Sequence, residues 1–272
     1  MKEISQNNSK MKLLVKAILF CATFTVLFIA FSFFKSLIPD KFERLTHGAF
    51  GTIAAILTTF LFLMFDRKTF ADIGLIYQKT TPKYFFVGLL IGMGLMGLLT
   101  SIVTLTSGFK VETNTKSSFA NFILWTLPLI PLAYMEEVGF RGYPLSILKK
   151  NFGIRYSILI TSLLFAFYHI ANGWTIQSSF SGAGVWGIIF GLAAIYSNGL
   201  SIPTGLHYGV NLTTAAFGIS ENSFNMWILK QSNGQTLENY QSSQMATLIP
   251  QISIFIIAII FMELYLRKKN YR

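Results

Sequence analysis

Residues 118–145 read "SFANFILWTLPLIPLAYMEEVGFRGYPL". The stretch runs without a charge as far as Met135, close to the ~20 apolar residues that a membrane-spanning helix needs. It then places two adjacent carboxylates, Glu136 and Glu137, and a guanidinium, Arg141, where hydrocarbon is expected. Two readings follow. The bland one is a solvated helix end; the other is a membrane helix that carries ionisable groups at depth, which are functional candidates by default.

The surrounding chain favours a membrane setting. Of 272 residues, 53% are hydrophobic and only 12% charged, far from the roughly quarter-charged make-up of a soluble domain. Long charge-free runs repeat from end to end, with no linker, low-complexity tract or sequence repeat. We therefore expect an all-α polytopic membrane protein forming one domain over residues 1–272. Hydropathy gives about eight transmembrane windows: 13–34, 48–65, 84–106, 118–148, 154–175, 183–197, 202–219 and 246–265. The first window follows a basic start, but it is too long for a signal peptide and lacks an A-x-A-like end, so a retained helix is expected.

The net charge of +11 does not point to nucleic acid, because the basic residues cluster between apolar windows. Counted in alternate segments, 16 Lys and Arg fall on one side and 6 on the other. By the positive-inside rule both termini are expected in the cytoplasm of a multi-pass cell-membrane protein. Cys21 has no second cysteine to pair with and reads as packing. The spaced pairs Gly88 and Gly92, Gly187 and Gly191, and Gly205 and Gly209 allow close helix approach in lipid.

Three polar constellations interrupt the apolar windows. In the first, Glu137 and Arg141 are four apart, so they share a helical face and can form an ion pair that offsets burial. Glu136 projects about 100° away and has no partner in its own segment. The second is His169 in "SLLFAFYHIANGW", where a hydrogen-bonded core histidine is the bland reading. Depth adds weight: Glu136 and Lys149 are 13 residues apart and Arg155 and His169 are 14 apart. At ~1.5 Å per residue both functional candidates lie about 20 Å from the same basic boundary. The third is "GLSIPTGLHYGVN", with His207 and Asn211 on one helical face. Residue counting leaves His207 shallower than the others unless the 197–203 segment dips into the bundle. His47 reads as interfacial, Glu263 as balanced by Arg267 one turn on, and Glu221 and Glu238 in the 220–244 loop as solvated. Ser162 lacks a supporting motif.

These groups suit hydrolysis. A desolvated carboxylate works as a general base, and Glu136 with His169 can activate a water. His207 and Asn211 are side-chain donors of the kind that stabilise an oxyanion. A divalent metal such as zinc is the competing reading, with Glu136, His169 and His207 as candidate ligands. The local HExxH pattern is absent, and both alternatives stay open.

In order, E136-E137-x-x-x-R141, F165-x-x-x-H169 and H207-x-x-x-N211 resemble the three motifs of the CPBP family, the type 2 CAAX prenyl proteases and bacteriocin-processing or immunity enzymes also called Abi. The resemblance covers about residues 118–215, the motif-bearing core. It implies an intramembrane endopeptidase in a helical bundle with a central intramembrane cavity, acting on a peptide or membrane-associated protein that enters from the membrane or cytosol. By position it implies Glu136 as catalytic base, His169 as its partner on the water, His207 and Asn211 as the oxyanion site, and Glu137 and Arg141 as supporting residues. It also implies a role in bacteriocin processing or self-immunity. Two other classes compete: a secondary transporter using Glu136, His169 and His207 as a proton or ion relay, and a catalytically idle membrane adaptor or immunity protein.

Overall fold

The structure, a computed structural model, describes residues 2–39, 42–219, 224–231, 234 and 245–270. Helices dominate: α1 (Lys2–Ser32), α2 (Glu43–Asp66), α3 (Thr81–Ser107), α4 (Phe119–Thr126), α5 (Leu129–Glu137), α6 (Tyr143–Ala171), a single turn α7 (Ile176–Ser178), α8 (Val185–Ser197), α9 (Ser201–Ala216) and α10 (Met245–Asn270). The chain is an all-α polytopic membrane protein. Five segments are long and apolar enough to cross a bilayer: Ser9–Lys35, Glu43–Asp66, Thr81–Ser107, Phe119–Ala171 and Ile176–Ser197. The expected eight passes are reached only if Phe119–Ala171 crosses twice and α9 and α10 cross once each. One feature was not anticipated. Strands β1 (Lys110–Thr113) and β2 (Trp227–Lys230) pair antiparallel, Lys110 opposite Lys230 and Thr113 opposite Trp227. Glu221 and Glu238 lie outside the described residues.

The window expected over 118–148 is not one helix. Ser118 caps α4 by accepting from the Asn121 amide, and Pro128 separates α4 from α5. Next, residues Val138–Gly142 form a wide π-type turn. Pro144, in the first turn of α6, explains that turn: it has no N–H to donate and its ring crowds the carbonyl four residues back, so the ladder must widen. Gly153, with φ 74° and ψ 174°, then breaks α6 between residues 143–152 and 154–171. This is the boundary that hydropathy placed between the fourth and fifth windows. A side chain at Gly153 would be strained at that φ.

Aromatic residues fill the centre. Phe20, Phe24 and Phe28 recur every four residues on α1 and are buried. Phe20 stacks on Tyr143 at 5.1 Å, and Phe24 meets Phe140 edge-on at 6.0 Å and stacks on Tyr168 at 5.6 Å. Gly139 makes room for this, since a Cβ there would lie 2.9 Å from Phe24. Cys21 belongs to the same apolar core, as expected. Several hydroxyls within the helices bond back one turn, as Thr58 does to the Ala54 carbonyl and Thr59 to that of Ala55, which satisfies them inside their own helix.

The tightest helix pairing joins α3 to α9. A Cβ at Gly88 would fall 2.1 Å from the Ile202 carbonyl oxygen, one at Gly92 2.1 Å from that of Leu206, and one at Gly205 2.0 Å from that of Phe85. Two of the glycine pairs noted in the sequence, Gly88/Gly92 and Gly205/Gly209, thus face each other and bring backbone against backbone, locking the helix that carries His207 and Asn211.

Two alanine substitutions separate this contact from general helix propensity. Gly92→Ala should destabilise the detergent-solubilised protein by about 1–3 kcal/mol through overpacking. Gly94→Ala, where nothing lies within 4 Å, should raise stability by up to about 1 kcal/mol through helix propensity. Thermal melting of both variants beside wild type measures the difference.

Candidate active site

The π-turn and α9 assemble a buried quartet. Glu136 and Glu137 end α5 and Arg141 sits in the turn, while His207 arrives from the middle of α9. Glu137 is fully buried, and Glu136, Arg141 and His207 are 7%, 2% and 6% exposed. Arg141 Nη1 donates to Glu137 Oε1 at 3.4 Å, the ion pair expected from their spacing. The same oxygen accepts from His207 Nδ1 at 2.9 Å. That bond fixes the tautomer: Nδ1 carries a proton, and Nε2 faces Glu136 Oε2 at 3.5 Å.

Glu136 has no partner in its own segment, as expected; its neighbour, His207, comes from α9. One expectation is corrected: His207 is not shallower than the glutamates, since it meets both. Asn198, itself exposed, reverses the chain in the left-handed region, with φ 49°, and its carbonyl is 2.9 Å from where a Cβ on Gly74 would be. α9 therefore starts against the α2–α3 connection and the first turns of α6.

His169 is placed differently from the quartet. It lies late in α6, 8% exposed, with Nδ1 bonded to the Phe165 carbonyl at 2.9 Å. That carbonyl can only accept, so the proton is on Nδ1 and Nε2 is the acceptor nitrogen. The rings of Phe165 and Trp174 lie 4.5 Å from its imidazole. No hydrogen bond or ion pair joins it to Glu136. What connects the two histidines is Phe165, whose ring is 6.2 Å from His207 and 4.3 Å from the Arg141 guanidinium. Asn211 is half-buried one turn beyond His207. Ser162 lies against Gly187 beside Arg141 rather than near His169.

The metal candidates do not converge. Among the described residues no three His, Cys, Asp or Glu side chains are grouped to hold an ion. Glu136 and His207 meet, but the latter's other nitrogen is occupied by Glu137, and His169 does not join them. Catalytic zinc takes three protein ligands, so this donor set does not fit one.

Residues without sequence contrast complete the site. The Gly187 carbonyl accepts from Arg141 Nη2 at 3.1 Å, and a Cβ on Gly187 would come within 3.0 Å of that nitrogen. Phe190 stacks on His207. Both come from α8, where an all-apolar helix hides them; the glycine spacing was the sole signal and suggested packing alone. Glu137 Oε2 and Arg141 Nε have no hydrogen-bond partner among the described residues. A pocket opens on the other side of Arg141, lined in part by Asp72, Ser146, Lys149 and Asn198. It is not the expected central cavity around Glu136. Asp72, outside the spans, accepts from the Thr69 amide and hydroxyl, which hold its carboxyl below the usual range. At the boundary, Glu263 pairs with Arg155 at 2.6 Å rather than being explained by Arg267 alone, and His47 meets Lys35 and the Phe28 edge.

Residues 117–213 match the family model described as Type II CAAX prenyl endopeptidase Rce1-like. The matched segment contains Glu136, Glu137, Arg141, His169, His207 and Asn211. No curated protein matches the chain.

Removing one charge from the quartet should expose its energetics. Arg141→Met leaves Glu137 buried with its positive partner gone, and stability should fall by on the order of 3 kcal/mol. The double variant Glu137→Leu with Arg141→Met should lose less than that, because no unpaired charge remains. Unfolding in mixed micelles compares the two.

Proposed function

We propose that this chain, whose residues 117–213 match the Rce1-like model of the CPBP family, is an intramembrane endopeptidase of the CAAX type. The observation that carries the reading is the meeting of the first and third motifs: Glu136 and His207, 71 residues apart in sequence, lie 3.5 Å from each other in a buried aromatic setting.

In this mechanism Glu136 takes a proton from a water while His169, through its free Nε2, orients that water. The hydroxide adds to the scissile carbonyl carbon, and negative charge gathers on the carbonyl oxygen. Asn211 stabilises that oxygen through its side-chain N–H, and His207 adds a second donor there in the form that carries a proton on Nε2 as well as on Nδ1. When the intermediate collapses, the carbon–nitrogen bond breaks and Glu136 returns its proton to the leaving amine. Each turnover thus consumes one water and leaves the enzyme unchanged. Glu137 and Arg141 support the site: Glu137 fixes the His207 tautomer, and Arg141 balances its charge. Glu136 is the base because it is the quartet's carboxylate that Arg141 does not bind. No metal is assigned, because the candidate donors do not form a three-ligand set.

The chain is read as one membrane domain over residues 1–272 with its motif-bearing core at 118–215. Both termini are assigned to the cytoplasm on the 16 to 6 distribution of basic residues. The substrate is a peptide or membrane-associated protein, and a peptide leader or toxin fits a role in bacteriocin processing or self-immunity.

A cleavage assay in proteoliposomes against candidate peptides tests the reading. Glu136→Gln and His169→Ala should each lower kcat by at least about 100-fold, since the general base and its partner are removed. Exhaustive chelation should leave the wild-type rate within about twofold, because no metal-bound step is invoked. Full activity in both variants would sink the hydrolase assignment, and loss on chelation with recovery on adding zinc would sink the metal-free one.

A further inference from the structure

We infer that Phe190 is a positioning residue for this site, holding the His207 imidazole in the plane that turns Nε2 toward Glu136; the roles it serves rest on the hydrolase reading above. Phe190 lies in α8 and is 1% exposed. Its ring stacks on the His207 imidazole with centroids 4.3 Å apart and planes 16° apart. Trp186, one turn earlier, stacks on Phe190 in turn at 5.9 Å and 24°.

The need for such a wall follows from torsional freedom. The bond from Nδ1 to Glu137 anchors one atom of the imidazole, yet the ring can still swing about that anchor and carry Nε2 away from Glu136. A parallel face at stacking distance removes the swing. Phe165 bounds the same imidazole edge-on, at 83°, so one aromatic supplies a face and the other a perpendicular stop. An aliphatic side chain of similar volume would exclude water equally well but would set no plane.

Phe190 also lies beside the guanidinium of the quartet. The Arg141 guanidinium lies 5.4 Å from its ring and 4.3 Å from that of Phe165. Aromatic faces attract cations, more strongly where water is excluded. With Gly187 three residues earlier giving its carbonyl to Arg141, α8 contributes two contacts to a charged cluster without a polar side chain of its own. The charged or titratable groups around His207 are Glu136 and Glu137, with Arg141 behind Glu137 and His169 across Phe165.

The test pairs a spectroscopic readout with kinetics on the full-length protein. In histidine-labelled protein, the nitrogen resonances of His207, assigned by their loss in His207→Gln, should show one Nδ1-protonated form in wild type. Phe190→Leu should broaden or split them, while lowering kcat by about 10- to 100-fold, the scale of a misplaced catalytic group, with KM within about twofold. Phe190→Met, a gentler change, should show the same effects in smaller measure, and melting curves confirm that both variants fold. Unchanged resonances and a kcat within twofold of wild type would overturn the inference, as would a loss of kcat that merely follows a loss of folded protein. If the resonances respond but neither wild type nor Glu136→Gln cleaves any candidate peptide, Phe190 keeps its positioning role and the hydrolase reading fails.

Discussion

Glu137 Oε1 accepts from two donors that reach it from opposite sides, Arg141 Nη1 in the π-turn and His207 Nδ1 on α9. The rest of the site is arranged around that shared atom. A carboxylate at bilayer depth is costly, on the order of 3 kcal/mol on insertion scales even when partly relieved. One arginine would balance one glutamate, yet this helix end carries two. The histidine settles the account: by bonding Glu137 through one nitrogen and facing Glu136 with the other, it couples both carboxylates to a single ring. Neither glutamate can be understood from its own helix.

The apolar frame serves that coupling. Phe165 and Phe190 line the cations and the imidazole, Phe24 presses on the π-turn through the gap left by Gly139, and α3 clamps α9 through facing glycines. Such surroundings exclude water and so strengthen each electrostatic contact they enclose. They also make incomplete contacts expensive, and Glu137 Oε2 and Arg141 Nε are both buried without a partner. The cluster therefore stores specificity rather than surplus stability.

Much of this was legible from residue types and spacing. The i, i+4 relation of Glu137 and Arg141 anticipated their ion pair, and hydropathy anticipated the break that Gly153 makes in α6. The position of His207 was not legible by counting residues from a boundary, because its meeting with Glu136 and Glu137 depends on how α9 packs against α3 and α5, contacts that spacing within one helix does not carry. Neither the π-turn nor its consequence, which is to set Arg141 between Glu137 and α8, was anticipated, although Pro144 supplies its cause. Gly187 and Phe190 were invisible for a simpler reason: an apolar residue in an apolar helix offers no contrast, however directly it touches the charged groups.

The facing glycines of α3 and α9 divide the site mechanically. Backbones in direct contact cannot slide past one another by a fraction of a turn without driving carbonyl oxygens into Cα atoms, so His207 and Asn211 are mounted on a stationary rail. The opposite half hangs from a widened turn that contains Gly139 and Gly142 and is packed by side chains, Phe24 among them, rather than by another backbone. On the proposed hydrolase reading, a peptide would be admitted by side-chain rearrangement on the glutamate side, while His207 and Asn211 keep their places.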